Sequence, residues 1–112
     1  MPAKDKLHNI VKNSLVKDGW TVTHDPLHLK LGRKDLYVDL GAERVLAAEK
    51  GGQKIAVEIK SFAGKSFIDD VEKALGQFQL YQATLESSEP DRILFLAVDD
   101  EAYDNVFTDE LG

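Results

Sequence analysis

KIAVEIKSF, residues 54–62, is the stretch on which the fold turns. Ile55, Val57 and Ile59 alternate, as the core-facing side chains of a strand must. Ala56, Glu58 and Lys60 take the opposite face. A carboxylate and an ammonium therefore project side by side from the middle of a strand, roughly 7 Å apart along it. Ala56 is small and leaves room next to them. An ion pair on a solvated face is the simplest account of such a pair. A ligand site built on the strand is the other.

Working outward, Gly51-Gly52 marks a hairpin leading into this strand. The segments LYVDL (36–40) and RVLAAEK (44–50) precede it as further strands. Before them, WTVTHDPLHLKL (20–31) reads as two short strands broken at Asp25-Pro26, because proline cannot donate to a ladder. Leu27, Leu29 and Leu31 point one way; His28 and Lys30 point the other. Residues 4–17 carry Leu7, Ile10, Val11 and Leu15 at helical spacing, and Asp18-Gly19 closes that helix. On the other side of the strand, residues 66–86 are a long helix. Ser66 is its cap, Asp69 and Asp70 suit its first turn, and Ile68, Val71, Leu75, Phe78 and Leu85 are its expected buried stripe. RILFLAV (92–98) is a last strand, and residues 99–109 are a short acidic helix. The order predicts a single α/β or α+β domain over residues 1–112, with a central mixed sheet flanked by helices.

Composition narrows the function. The 112 residues contain no cysteine, so a disulfide framework and a thiolate metal site are both excluded. The N-terminus lacks the apolar core of a secretory signal, and no apolar run is long enough to span a membrane. These features suit a cytoplasmic protein. Net charge is −6, which disfavours non-specific binding to nucleic acid. The charge is unevenly spread. Residues 1–35 hold seven Lys and Arg against four Asp and Glu, whereas residues 99–112 hold six acids and no base. A locally positive surface that includes Lys12, Lys17, Lys30, Arg33 and Lys34 is therefore compatible with an acidic chain.

Asp39 gives the strand pair its chemical interest. It lies just before the strand expected to pair with residues 54–62, so a hairpin returns Glu58 towards it. Two carboxylates with the backbone carbonyl of Ile59 make an oxygen-rich site of the kind that Mg²⁺ or Mn²⁺ takes. Such a metal activates water and stabilises charge on phosphate, and Lys60 is placed to orient that water or neutralise the developing charge. The competing reading of Asp39 is a turn residue before Gly41. On the long helix, Gln77 and Tyr81 share a face at i and i+4. Gly76 costs about 1 kcal/mol there relative to alanine, which suggests close approach of another group. Simple helix packing, with Gln77 solvated and Tyr81 half-buried, is the plainer account. His8, His24 and His28 do not have zinc-motif spacing and read as surface residues. Trp20 reads as core or interface rather than as a base-stacking platform.

Asp39, then Glu58-x-Lys60 on a hairpin, then Gln77-x-x-x-Tyr81 on the next helix resembles the PD-(D/E)XK nuclease superfamily. The blocks DGWTVTHDPL, VDLGAERVLAAEK, KIAVEIKSF and ALGQFQLY together resemble the XisH family, the fdxN-element excision controlling factors, over nearly the whole chain. The resemblance implies a restriction-endonuclease-like fold in a cyanobacterial, cytoplasmic protein that binds DNA. It also implies a role in DNA recombination beside a site-specific recombinase and a XisI-like companion. It implies Asp39 as the first metal-binding acid, Glu58 and Lys60 as the E-x-K pair, and Gln77 and Tyr81 as the helix motif, in a Mg²⁺-dependent endonuclease or in a regulator that keeps the fold without cutting. Two departures follow. The family generally continues past Gly112 with one more strand-like stretch. The superfamily often places a glutamate on the first helix, where this chain offers only Asp5 and His8. Self-association into a homodimer through unpaired strand edges is also expected.

Overall fold

The computed structural model describes residues 3–45, 52–61 and 67–98. Helix α1 (Ala3–Lys17) leads into β1 (Thr21–His24), β2 (Leu27–Leu31), β3 (Lys34–Val38), β4 (Leu40–Arg44) and β5 (Gln53–Lys60). Helix α2 (Phe67–Ser88) then crosses to β6 (Arg92–Val98). The central sheet has the order β1-β4-β5-β6, and β2-β3 form a separate two-stranded ribbon. β4 pairs antiparallel with β1 and β5, while β5 and β6 are parallel. The α/β architecture with a mixed central sheet is thus as expected. The expected acidic helix at 99–109 and the Ser66 cap lie outside the described residues.

The alternation in β5 sorts the molecule into two layers. Ile55, Val57 and Ile59 join Leu40 and Ala42 in a core covered by Leu7, Val11 and Leu15 of α1, with Trp20 and Val22. Ala56, on the opposite face, joins Leu27, Leu29, Val38, Tyr81, Leu85 and Leu94. α2 and the ribbon therefore cover the face that also bears Glu58 and Lys60. Helix α1 stops where Gly19 takes a positive φ of 90°. The Gly19 N–H then reaches the Val16 carbonyl and the Trp20 N–H the Leu15 carbonyl, a Schellman closure with Trp20 packed on the same core as Leu15. Trp20 lies under the Arg44 guanidinium, 4.3 Å from its ring centroid. At the start of β5, Gly52 (φ 72°) passes so close to β4 that an added Cβ would sit 2.7 Å from the Arg44 carbonyl oxygen.

Several expectations need correction. LYVDL is not one strand: β3 ends at Val38, β4 begins at Leu40, and the chain changes sheet at Asp39 between them. Of the strand expected at 44–50, Arg44 ends β4 (Leu40–Arg44), Val45 is exposed, and residues 46–50 lie outside the described residues. On α1, Ile10 is exposed, and Leu7, Val11 and Leu15 carry the contact. On α2, Ile68 and Leu75 are exposed, and the buried residues are Ala74, Tyr81, Thr84 and Leu85. Small Ala74 and Thr84 let the helix approach the sheet where bulkier side chains would hold it off. Leu31 is 41% exposed, so the ribbon buries only Leu27 and Leu29 of its expected three leucines.

Gly76 is solvent-facing, with no described atom within 4 Å of where a Cβ would stand. The close approach inferred from its presence is absent among the described residues. Gly76→Ala is therefore expected to stabilise the protein by about 1 kcal/mol, the propensity difference for a helix interior. Thermal unfolding checks this. A lower midpoint would mean that something is seated against the glycine.

Candidate functional site

The change of sheet at Asp39 builds the site. In the β4–β5 ladder Leu40 stands opposite Val57, so the next pair outward is Asp39 and Glu58. Each residue ties down the other's strand. The Ile59 N–H donates to Asp39 Oδ2 at 2.7 Å, and the Asp39 N–H donates to Glu58 Oε1 at 3.2 Å. Lys60 Nζ lies 3.3 Å from Glu58 Oε2. Asp39, Glu58 and Lys60 thus converge, as the strand pairing predicts.

Glu58 is 4% exposed, an unusual depth for a carboxylate. Burial and then the negative charge of Asp39 push its pKa up to about 7, against the weaker opposing pull of Lys60. Two carboxyl groups thus stand side by side in a dry place with Lys60 next to them, and their donors are hard oxygens. Both properties fit a divalent cation bound by Asp39 and Glu58. Among the described residues, no cluster of three or more His, Asp or Glu side chains suits a metal, so the protein's side-chain donors there are these two. His8 on α1 is engaged elsewhere, its Nε2 on Asp25 Oδ1 at 2.9 Å beside Lys12. Asp5, the other first-helix substitute, is exposed.

The two α2 residues separate in depth. Gln77 lines an open cleft of about 520 Å³ with Ile59, Lys60, Ser61, Asp70 and Lys73. Tyr81, one turn further on, is buried rather than half-buried, and its hydroxyl donates to the Tyr37 carbonyl at 2.8 Å. Burial, followed by the charges of Glu58 and Asp39, raises its pKa to about 12, so it stays a neutral donor. Tyr81 fixes the end of β3, two residues before Asp39, and holds the ribbon on α2. Gln77 faces the cleft mouth. Lys73 escaped the sequence reading; its signal was the i, i+4 spacing to Gln77, which puts both on one side of α2. Arg92 escaped it too. It is a buried guanidinium that donates to the Ile55 carbonyl at 2.9 Å and pairs with Glu89. His24 and His28 are exposed, as expected.

Comparison with known proteins places this geometry in context. The family model described as XisH protein matches residues 1–112. A crystal structure of an XisH family protein from Nostoc punctiforme is 40% identical, with a TM-score of 0.77, over 94% of this chain and 80% of that one. A crystal structure of an fdxN element excision controlling factor protein from Anabaena variabilis is 42% identical, also with a TM-score of 0.77, over 96% of this chain and 81% of that one. Among curated proteins none matches the chain. No helix among the described residues is long and apolar enough to cross a membrane.

Proposed function

The chain belongs to the XisH family, and from that premise we propose that it controls excision of a DNA element through a divalent-metal site on a nuclease-like fold. The observation that carries this reading is the interlocked pair Asp39 and Glu58, each carboxylate bonded to the other strand's backbone with Lys60 alongside. Asp39, Glu58 and the Ile59 carbonyl would hold Mg²⁺ or Mn²⁺. Such an ion supplies polarisation of a phosphoryl oxygen and a more acidic water. Lys60 contributes a positive charge beside the reacting phosphate. Gln77 binds at the cleft mouth, and Tyr81 keeps Asp39 in place through β3. A site-specific recombinase and a XisI-like companion are the proposed partners, in the cytoplasm, with the chain acting as a homodimer. Among the described residues β1 and β6 are the edge strands of the sheet, and β6 exposes Ile93 and Phe95.

A second reading is favoured by a specific feature: two carboxylates are a sparse donor set, and α1 adds no glutamate to them. In that reading the chain is a catalytically inactive regulator that acts by binding its companion. Asp39→Asn separates the two. If the metal site works, the variant loses excision in a reaction reconstituted with recombinase and companion, while still binding the companion. Undiminished excision by Asp39→Asn supports the regulator and removes the metal-dependent step.

A further inference from the structure

The outer face of the β2–β3 ribbon is not used by the site, and the ribbon's two faces differ sharply. Its inner face buries Leu27, Leu29 and Val38 against Tyr81 and Leu85 of α2 and against Ala56 and Leu94 of the sheet. Its outer face carries His28 opposite Tyr37 and Lys30 opposite Asp35, all exposed. The His28 and Tyr37 rings stack with centroids 5.2 Å apart. Asp35 Oδ1 accepts from His28 Nε2 at 2.7 Å and from Lys30 Nζ at 3.0 Å. These two hydrogen bonds, His28's first, hold its carboxyl below the usual carboxylate range. The ribbon's acid is thus already occupied. At the turn, where Gly32 takes a φ of 59°, Arg33 and Lys34 are exposed and have no ion-pair partner among the described residues.

We infer that this ribbon is a DNA-binding arm that enters the major groove of a duplex. The inference rests on the excision reading and deepens it by naming the surface and the form of DNA. Three observations carry it. The ribbon concentrates three Lys and Arg against one Asp in a chain of net charge −6, so its charge opposes that of the protein and suits a polyanion. A two-stranded ribbon has the cross-section that the major groove admits, whereas the minor groove is too narrow. The third is its mooring. The Tyr81 hydroxyl holds the Tyr37 carbonyl, and β3 runs directly into Asp39. From turn to Asp39 the ribbon is about 17 Å long. A duplex gripped along it therefore brings a backbone phosphate to the carboxylate pair at the ribbon's base, with no hinge between recognition and site. Arg33 and Lys34 take phosphates at the groove rim, while the His28–Tyr37 pair faces the base edges.

The test is binding of a labelled duplex to the full chain in the presence of a chelator, followed by fluorescence anisotropy across a salt series. Arg33→Ala/Lys34→Ala is expected to weaken binding at least about tenfold at low salt and to reduce the log–log salt slope by about two. Both residues are exposed, so the thermal midpoint stays that of the wild type; Arg33→Gln/Lys34→Gln repeats the test should the alanine pair fold poorly. A minor-groove ligand should not compete. Wild-type and variant proteins that bind with equal affinity and slope would overturn the ribbon assignment and leave the excision reading standing. Competition by the minor-groove ligand would overturn the groove. A wild type that binds no duplex at low salt, alone or with the companion, would overturn direct DNA contact altogether.

Discussion

Mg²⁺ or Mn²⁺ is expected to raise the thermal midpoint of the wild-type protein, and Glu58→Gln to abolish the rise together with any metal-dependent cleavage. The substitution is nearly isosteric and keeps an oxygen to accept the Asp39 N–H, so the strand pairing survives. What it removes is one of the two carboxylates. A ligand that binds only the folded state stabilises it by RT ln(1 + [L]/Kd), about 2.7 kcal/mol when the metal is at a hundred times Kd. For a domain of this size each kcal/mol moves the midpoint by roughly 4–8 °C, so the wild-type shift is easily measured. If Glu58 and Lys60 were merely an ion pair, neither protein would respond to metal. The response also depends on pH. A proton occupies Glu58 below its pKa of about 7, and the metal must displace it, so affinity should rise with pH through neutrality and level off above.

The second large effect concerns the metal-free protein. The folded pKa of Glu58 lies above its ordinary value of 4.5. Between those values the folded state holds a proton that the unfolded state releases. The stabilising contribution of the protonated group is complete below the unfolded pKa and is lost as pH rises through about 7. The loss amounts to something on the order of 2–3 kcal/mol, reduced by whatever solvent screening the cleft mouth allows. Glu58→Gln cannot titrate. The variant should therefore gain stability relative to the wild type as pH climbs from 5 to 8, where buried anions otherwise repel. Denaturant unfolding at a series of pH values in chelator checks this. Parallel pH profiles for the two proteins would mean that Glu58 is ionised and satisfied in the apo state. A residue that destabilises the protein until a cation arrives is the pattern expected of a site kept for binding rather than for the fold.

The sequence revealed some of this and concealed the rest for identifiable reasons. Alternation in residues 54–60 was unambiguous because period two on a central strand leaves few alternatives, and it correctly put Glu58 and Lys60 on one face. The hairpin then delivered Asp39 to Glu58, since register follows from antiparallel pairing. What remained hidden was the break at Asp39. Leu36, Val38 and Leu40 alternate without interruption, and nothing local says that the first two belong to a ribbon and the third to the central sheet. The same limit explains α2. Apolar periodicity favoured Ile68 and Leu75, but which side of a helix meets a sheet depends on how closely it packs, and Ala74 decides that here. Gln77 and Tyr81 share a face in sequence, yet one reaches the cleft and the other a backbone carbonyl, because the ribbon covers only the later turn. The ribbon's charge was visible in composition as the basic excess of residues 1–35, but its two-faced architecture became evident only once β2 and β3 were seen apart from the main sheet.

Calorimetric titration of Mn²⁺ into the purified wild-type chain, with Glu58→Gln in parallel, bears most directly on the carboxylate pair. Asp39 and Glu58 as a divalent-metal site predict saturable binding at millimolar affinity or tighter above pH 7, release of a proton near pH 6, and no binding by the variant. Absence of heat in the wild type up to millimolar metal, or equal binding by both proteins, would contradict it.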